Sequence, residues 1–414
     1  MSKAISRRNF LMATGAVGAA GLLAACGSKP AASSTASSAA SQAPAASADE
    51  SLALSDGPVS LSISWWGGDS RHAAYQSALE AFQAEHSNIT VEPTFAAWSG
   101  WEEKMAAAFI AGNAQDVCQV NWNWLYNYSA DGSKFVDLNT TSKFIDLTQW
   151  DAAAMDACYV ANSQQCVPVS MTGRIFYWNM TTFNKAGITE VPKSLDDLMA
   201  AGKAFQEKLG DDYYPMHLGA YDRMILMVFY LESKYGKDWA DPVTSTLNYT
   251  EEEIAEGLAF IKSLVDNHVM MNLKTYYSAN SDTATHQSNE WITGKIAGIF
   301  EWDSAASKYS SALDDSNKDG FTVGEEIKFG DNNGGFSKVS MGLAITKTCK
   351  NVAEAATLIN FLLNEEKGAS IMGSECGIPA SKAGLKFAQD AGAVKSLVAE
   401  ANAKVMAFTT NKLD

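Results

Sequence analysis

The sequence predicts an α/β fold. Strand-like and helix-like segments alternate from residue 57 onward. The first three strand-like segments are separated by helical ones, a β-α-β-α-β order that argues for a parallel sheet covered by helices. Residues 57 to 414 are also enough chain for two domains.

The elements follow in order. VSLSISW, from Val59, alternates as a strand does, and Arg71 to Glu85 places Ala74, Ala78, Leu79 and Phe82 at helical spacing. ITVEPTF reads as a second strand. Trp101 to Ala111 reads as a helix with Met105, Ala108 and Phe109 on one face, and DVCQVNW as a third strand. In such a sheet, ligands sit at the carboxyl ends of strands. The segments there are WWGGDSRH, FAAWSGW and NWNWLYNY.

CVPVSMTGRIFYWN is a long extended run, able to pass from one domain to another. Three helices come next, LDDLMAAGKAFQEKL, RMILMVFYLESKY and EEEIAEGLAFIKSLVDNHV; the first and third open on acidic residues, which the helix dipole favours. IAGIFEW and VSMGLAITK read as strands, and AEAATLINFLL and Ala393 to Ala407 as helices. No repeat of fixed period is visible.

The first residues are expected to lie outside the fold. Ser6-Arg7-Arg8-Asn9-Phe10-Leu11 is a twin-arginine export pattern, followed by a stretch of small and apolar residues too short to span a membrane comfortably. The twin-arginine and the general export routes both remain open. Leu23-Ala24-Ala25-Cys26 resembles the bacterial lipoprotein box, which implies a signal peptide over 1–25, cleavage before Cys26 and lipidation of that cysteine. The rest of 26–56 is mostly Ser, Ala and Pro, a composition that buries too little apolar surface to order itself and acts as a tether. No later run of about 20 apolar residues appears, so the body is expected to be soluble.

A formal net charge of −16 excludes the basic stripe that nucleic acid requires. Beyond Cys26 the cysteines are Cys118, Cys158, Cys166, Cys349 and Cys376, with no zinc spacing among them. Cys158 and Cys166 flank a turn and are placed to cross-link a hairpin or to stay reduced. Asp315-Ser316-Asn317-Lys318-Asp319-Gly320 with Glu326 fits a calcium-loop pattern, although no helix follows; an acidic loop is the alternative. Asn333-Gly334-Gly335-Phe336-Ser337 is Gly-rich but lacks the ending of a phosphate loop. No cofactor and no metal ion are expected.

Taken together, the lipoprotein box, the Ser/Ala tether, WWGGD, Ala114-Gln115-Asp116-Val117, VPVSMTGRIFYWN, FEW, SMGLAITKTCKNVAEAATLINFLL and GIPASKAG resemble the extracellular solute-binding lipoproteins of carbohydrate ABC importers, the class of maltose-binding protein. The resemblance covers residues 59 to about 385. Its one departure is Gln115, where the family often has proline. It implies a two-lobed periplasmic-binding-protein-like fold of type II, with lobe 1 from 57–169 plus 299–346 and lobe 2 from 170–298 plus 347–414. The chain would cross a hinge near Val169 to Thr172, Gly298 and Thr346.

A pyranose has an apolar C–H face that stacks on indole and a rim of hydroxyls that needs donors and acceptors. The chain has 11 tryptophans. Trp66, Trp98, Trp101, Trp122 and Trp124 fall at strand ends or in loops, where rings can face a cleft instead of a core. Gly67-Gly68 would let backbone approach the ligand. Asp69 either caps a helix or binds a hydroxyl, and Arg71 offers a planar donor fork. Asn121 can donate and accept, as can its neighbour Asn123, or both can serve turn chemistry. The resemblance brings Thr172 and Arg174 to the cleft from the hinge, and Tyr221, Asp222 and Arg223 from the second lobe. Glu301 and Trp302 close the strand IAGIFEW, with Trp302 as a platform.

The function expected is therefore that of a binding lipoprotein, not an enzyme. It would capture an oligosaccharide and deliver it to the transmembrane subunits of an ABC permease, as a monomer held at the extracellular face of the membrane through lipid on Cys26. A secreted glycoside hydrolase is the enzymatic alternative, since Asp69, Asp222 and Glu301 are available acids. A binder of another solute on the same fold is the third. Arg71, Arg174 and Arg223, if all in the cleft, would admit an acidic sugar, although arginine binds neutral diols as well, so neutral and acidic sugars both stay open.

Overall fold

The computed structural model describes residues 52–241, 246–281 and 283–409, with the backbone of 411–412. The twin arginines, Cys26 and nearly all of the tether lie outside the described residues. Among the described residues no helix is long and apolar enough to cross a membrane.

The predicted α/β alternation is present. Val59–Trp66 is the first strand, Asp69–Glu85 the helix after it, Ile89–Ala96 the second strand and Trp101–Ala111 the second helix. The third strand is shorter than expected. It spans Val117–Val120, and Trp122–Ser129 is a helix that buries Trp124, Leu125 and Ser129. Thus helical periodicity already governs the tail of DVCQVNW. The long extended run is one strand of 13 residues, Val167–Asn179. Leu195–Leu209, Ala220–Tyr235 and Glu251–Asp266 are the three helices that follow. Gly298–Trp302 and Phe336–Ile345 are strands, and Val352–Asn364 and Ser396–Phe408 are helices.

The main sheet runs in the order Phe321–Val323, Val167–Asn179, Phe336–Ile345, Val117–Val120, Val59–Trp66, Ile89–Ala96, and Gly298–Trp302 also pairs with the long strand. Val59–Trp66 lies parallel to both of its neighbours, whereas Phe336–Ile345 lies antiparallel to both of its own.

Two large hydrophobic cores flank this framework, with a small third cluster of Met227, Leu231 and Tyr249. The first draws on Val59 to Val169 and Val339 to Cys376; the second on Ile175 to Phe336 and Val398 to Val405. This corrects the expected division of the second half of the chain, in which 299–346 joined lobe 1 and 347–414 joined lobe 2. Ile299, Phe300, Phe321 and Val323 pack in the second core, whereas Leu358, Ile359 and Phe361 pack in the first. The cause is strand pairing. Gly298–Trp302 lies along Arg174–Trp178, the far half of the long strand, so its apolar side shares that half's core. The chain therefore crosses not at Gly298 or Thr346 but within 170–174, near Ser337 and Lys338, and between Cys376 and Val398. At Gly173 the helix Ser396–Phe408 presses so close that a Cβ would come within 2.4 Å of Val405.

Cys118, Cys158, Cys166, Cys349 and Cys376 are all buried free thiols, so Cys158 and Cys166 are not bridged. Around Asp315–Glu326 several side chains of the calcium pattern are engaged elsewhere. Asn317 exchanges hydrogen bonds with Asp314 and Asn179, Asp315 pairs with Lys318, and Phe321–Val323 pairs with the long strand. Glu326 is buried against the charges of Asp303 and Glu325. Among the described residues no group of three or more metal-ligating side chains converges.

Candidate functional site between the two cores

Strand register locates the site. Ile63 is level with Val117, which sets Trp66 level with Val120, and Val120 pairs with Gly342, which in turn faces Pro168. Trp66 therefore marks the carboxyl edge of the parallel strands. Thr172 stands four residues beyond Pro168, about 13 Å further on at the usual strand rise. Lys338 faces Thr172 across one ladder, and Trp302 faces Arg174 across the next. Because side chains alternate, Thr172 and Arg174 share a face with these partners. The space past the sheet's carboxyl edge is floored by the strands that join the two cores.

Arg174 is the centre of that floor. Its guanidinium is buried and donates to Asp222 at 2.6 Å and to the Phe300 carbonyl at 3.0 Å, with Glu301 at 3.6 Å. It lies 4.4 Å from the Trp302 ring centroid and 5.6 Å from that of Tyr221. Burial pushes the Asp222 carboxyl up despite the nearby guanidinium. Burial acts the same way on Glu301, but the charges of Arg174 and Lys308 outweigh it and hold that carboxyl below its usual value. Arg174 Nε is buried without a partner. Trp302, predicted as a sugar platform, is the plate against which Arg174 and also Lys338, 4.9 Å from its centroid, are packed.

Thr172 donates to Asp303, which also accepts from Asn402 and the Ser304 N–H. This carboxylate joins the long strand, the turn after Trp302 and the helix Ser396–Phe408. Burial pushes it up to about 6.

On the first lobe, Trp66 is 9% exposed and its ring meets Trp98 edge-on at 5.1 Å and Trp124 at 5.5 Å. Trp98 is 43% exposed. Gly67 has a specific role, since a Cβ there would come within 2.6 Å of the Arg71 side chain. Arg71 folds back over it to donate to the Trp66 carbonyl at 3.1 Å and the Glu375 carbonyl at 3.0 Å. Gly68 takes the N-cap position, leaving Asp69 exposed in the first turn of its helix. Asn121 and Asn123 are partly buried at the start of Trp122–Ser129, and the side-chain oxygen of each is buried without a hydrogen-bond partner. Trp122 is partly buried and meets Tyr126 edge-on at 5.9 Å.

Three expected contacts are corrected. Trp101 and Trp124 are fully buried, Trp124 with its indole N–H on Glu102, and present no free ring face. Their helices pack inward because each ring occupies an apolar position of its helical period. Arg223 turns away from Arg174. Its guanidinium donates to the carbonyls of Leu218 at 2.9 Å and Met271 at 2.6 Å, where it holds loop backbone. Tyr221, by contrast, is 63% exposed.

Sequence reading missed Lys338, Asp303 and Asn402. Each sits in ordinary alternation or helical spacing, and no local pattern marks it. A groove of about 590 Å³ between Met180, Glu190 and Asp319 lies on the second lobe and contains none of these residues.

Comparison with known proteins agrees with this architecture. The chain is 35% identical to a periplasmic oligogalacturonide binding protein from Yersinia enterocolitica, solved in complex with saturated digalacturonic acid, over 86% of this chain and 88% of that one, with a TM-score of 0.81. A periplasmic solute binding protein from Pectobacterium atrosepticum is 33% identical over 86% and 88% of the two chains, also with a TM-score of 0.81. The GacH receptor of Streptomyces glaucescens, at 19% identity, a TM-score of 0.68 and coverage of 85% and 94%, shares the fold. Among curated proteins, a putative binding protein of Brucella abortus is 21% identical over 209 residues; the chain spans about half the length of the curated relatives it matches. The profile of the bacterial extracellular solute-binding proteins matches residues 68–369. The two lobes, the crossing strands and these matches together place the chain in the bacterial extracellular solute-binding protein family.

Proposed function

We propose that this chain is the receptor of an ABC importer and captures an oligosaccharide between its lobes. The observation that carries the reading is the pair of buried, unpartnered side-chain oxygens of Asn121 and Asn123, which follow directly on Val120, the strand residue level with Trp66. Buried acceptors without donors are costly, and sugar hydroxyls are the donors that would complete them. Trp66 and Trp98 supply ring surface from one lobe, and Tyr221 from the other. A ligand touching both lobes favours closure, because only differential affinity moves a hinge equilibrium. The similar Yersinia protein, which binds an oligogalacturonide, supports a sugar as the solute. Delivery to permease transmembrane subunits, action as a monomer and anchoring at the extracellular face through lipid on Cys26 complete the proposal.

Calorimetric titration with a panel of oligosaccharides tests it. At least one sugar should bind, be recovered chemically unchanged, and bind at least about tenfold more weakly to Asn121→Ala. A panel without any binder overturns the reading, and cleavage products would point to the hydrolase instead.

A further inference from the structure

The cations around the cleft floor are not equally neutralised. Arg174 has Asp222 and Glu301. Arg223 spends its donors on two backbone carbonyls, and Arg71 on two others. Lys338 is different. It is partly buried, and among the described residues no carboxylate lies within 4.0 Å of its ammonium. Its one hydrogen bond is a long one, 3.4 Å, to the carbonyl of Val339.

The charged groups that face Lys338 do not complete it. Arg174, on the long strand, repels it. Asp303, in the turn after Trp302, attracts it, but both Asp303 oxygens are occupied by Thr172, Asn402 and the Ser304 N–H. Trp302 contributes a ring face at 4.9 Å and no hydrogen-bond acceptor. A desolvated ammonium held this way is costly unless an anion meets it. The cost shows in its acidity: burial, then the charge of Arg174, brings the Lys338 ammonium down to about 7. Its place opposite Thr172 puts it beyond the sheet edge, on the same face as Arg174. A sugar lying over the floor would pass across it.

We propose that Lys338 sets the ligand class: the oligosaccharide carries carboxylates, as a uronic-acid chain does, and the Lys338 ammonium receives one of them at the cleft floor. This rests on the reading of the cleft as a sugar site. A neutral sugar offers the ammonium only hydroxyl oxygens, whereas a carboxylate forms a charge-assisted bond roughly twice as strong. Arg71, also without a carboxylate partner among the described residues, is the second cation at the edge.

The test titrates the full chain with digalacturonate and with uncharged galactobiose, at about pH 6 and about pH 8, in wild type, Lys338→Met and Lys338→Arg. Wild type should prefer digalacturonate. Its affinity should fall about tenfold between the two pH values as the free ammonium loses its proton. Lys338→Arg should keep digalacturonate binding and lose this pH dependence, which separates Lys338 from Asp303 and Glu326, both of which titrate nearby. Lys338→Met should lose digalacturonate affinity at least tenfold, with the melting temperature not lowered and any galactobiose affinity reduced far less. Equal digalacturonate affinity in wild type and Lys338→Met overturns the inference, as does a wild type that prefers galactobiose; in that second case the sugar-receptor reading survives. Binding of neither sugar, with other oligosaccharides bound, overturns the inference alone. No sugar bound at all overturns both.

Discussion

The Arg174 guanidinium donates to the Asp222 carboxylate at 2.6 Å, and that contact ties the strand crossing between the cores to the first turn of Ala220–Tyr235. Arg174 is buried, and its single charge is shared between Asp222 and Glu301. Removing one partner of a buried pair leaves an uncompensated charge. Arg174→Met should therefore destabilise the protein by about 3–5 kcal/mol, measured as a lower urea midpoint. Adding Asp222→Asn should recover part of the loss. An unchanged midpoint in Arg174→Met would show that the bridge carries no net stability.

Exposure separates the rings proposed to meet the ligand from the core rings. Tyr221 and Trp98 are open to solvent, whereas Trp101 and Trp124 are enclosed. Tyr221→Ala and Trp98→Ala should each weaken oligosaccharide binding about tenfold or more while shifting the melting temperature by no more than about 2 °C. Trp124→Ala should instead cost about 3–5 kcal/mol of folding stability. Calorimetry and thermal denaturation on the same samples distinguish the two classes. A large thermal shift in Tyr221→Ala would contradict the assignment.

Glu326 gives a pH-dependent stability of definite sign. Burial, then the charges of Asp303 and Glu325, push its carboxyl up to about 8 from 4.5. Above the unfolded value the unfolded chain has released this proton while the folded chain keeps it. Stability from this group is thus full below about 4.5 and is lost as pH rises through about 8. Glu326→Gln should match wild type in urea near pH 5 and exceed it near pH 8. Parallel urea curves at both values would refute the shift.

The knot at Asp303 is shared by three segments. Thr172→Val leaves a buried carboxylate short of a donor and should cost about 1–3 kcal/mol. Asn402→Leu removes a second donor to the same group, so the two losses should not add. Additive urea-midpoint shifts would mean that the two bonds act independently.

The expectation for Cys26 is tested outside the described residues. Cys26→Ser should abolish lipid labelling and release the chain from membranes on fractionation. Continued membrane association of that variant would refute a lipid anchor at this cysteine.

Local periodicity was readable wherever an element buries one face by itself. Phe82 and Leu79 marked the helix Asp69–Glu85, and the 13-residue run from Val167 marked the strand that enters both cores. The site was partly readable. Trp66, Arg174, Asp222 and Trp302 lie at or against strand ends and crossings where the site is proposed, because glycine interruptions and strand ends betray the edge of a sheet. Trp101, Trp124 and Arg223 misled, because a ring or a guanidinium at a strand or helix end is equally able to turn inward. Lys338 carried no local signal, since the ring of Trp302 against it and the charge of Arg174 that acts on it come from distant parts of the sequence.

The amino-acid order alone determined the alternating elements, the long crossing strand and the acidic, tryptophan-rich character of the chain, since these follow from neighbouring residues and their spacing. Tertiary structure alone decided which core each later segment joins, which rings stay open and which cation lacks a counter-charge. Those outcomes depend on pairings such as Arg174 with Trp302 and Thr172 with Lys338. Residues more than a hundred positions apart become neighbours only when the strands register, and burial and electrostatics act through that proximity.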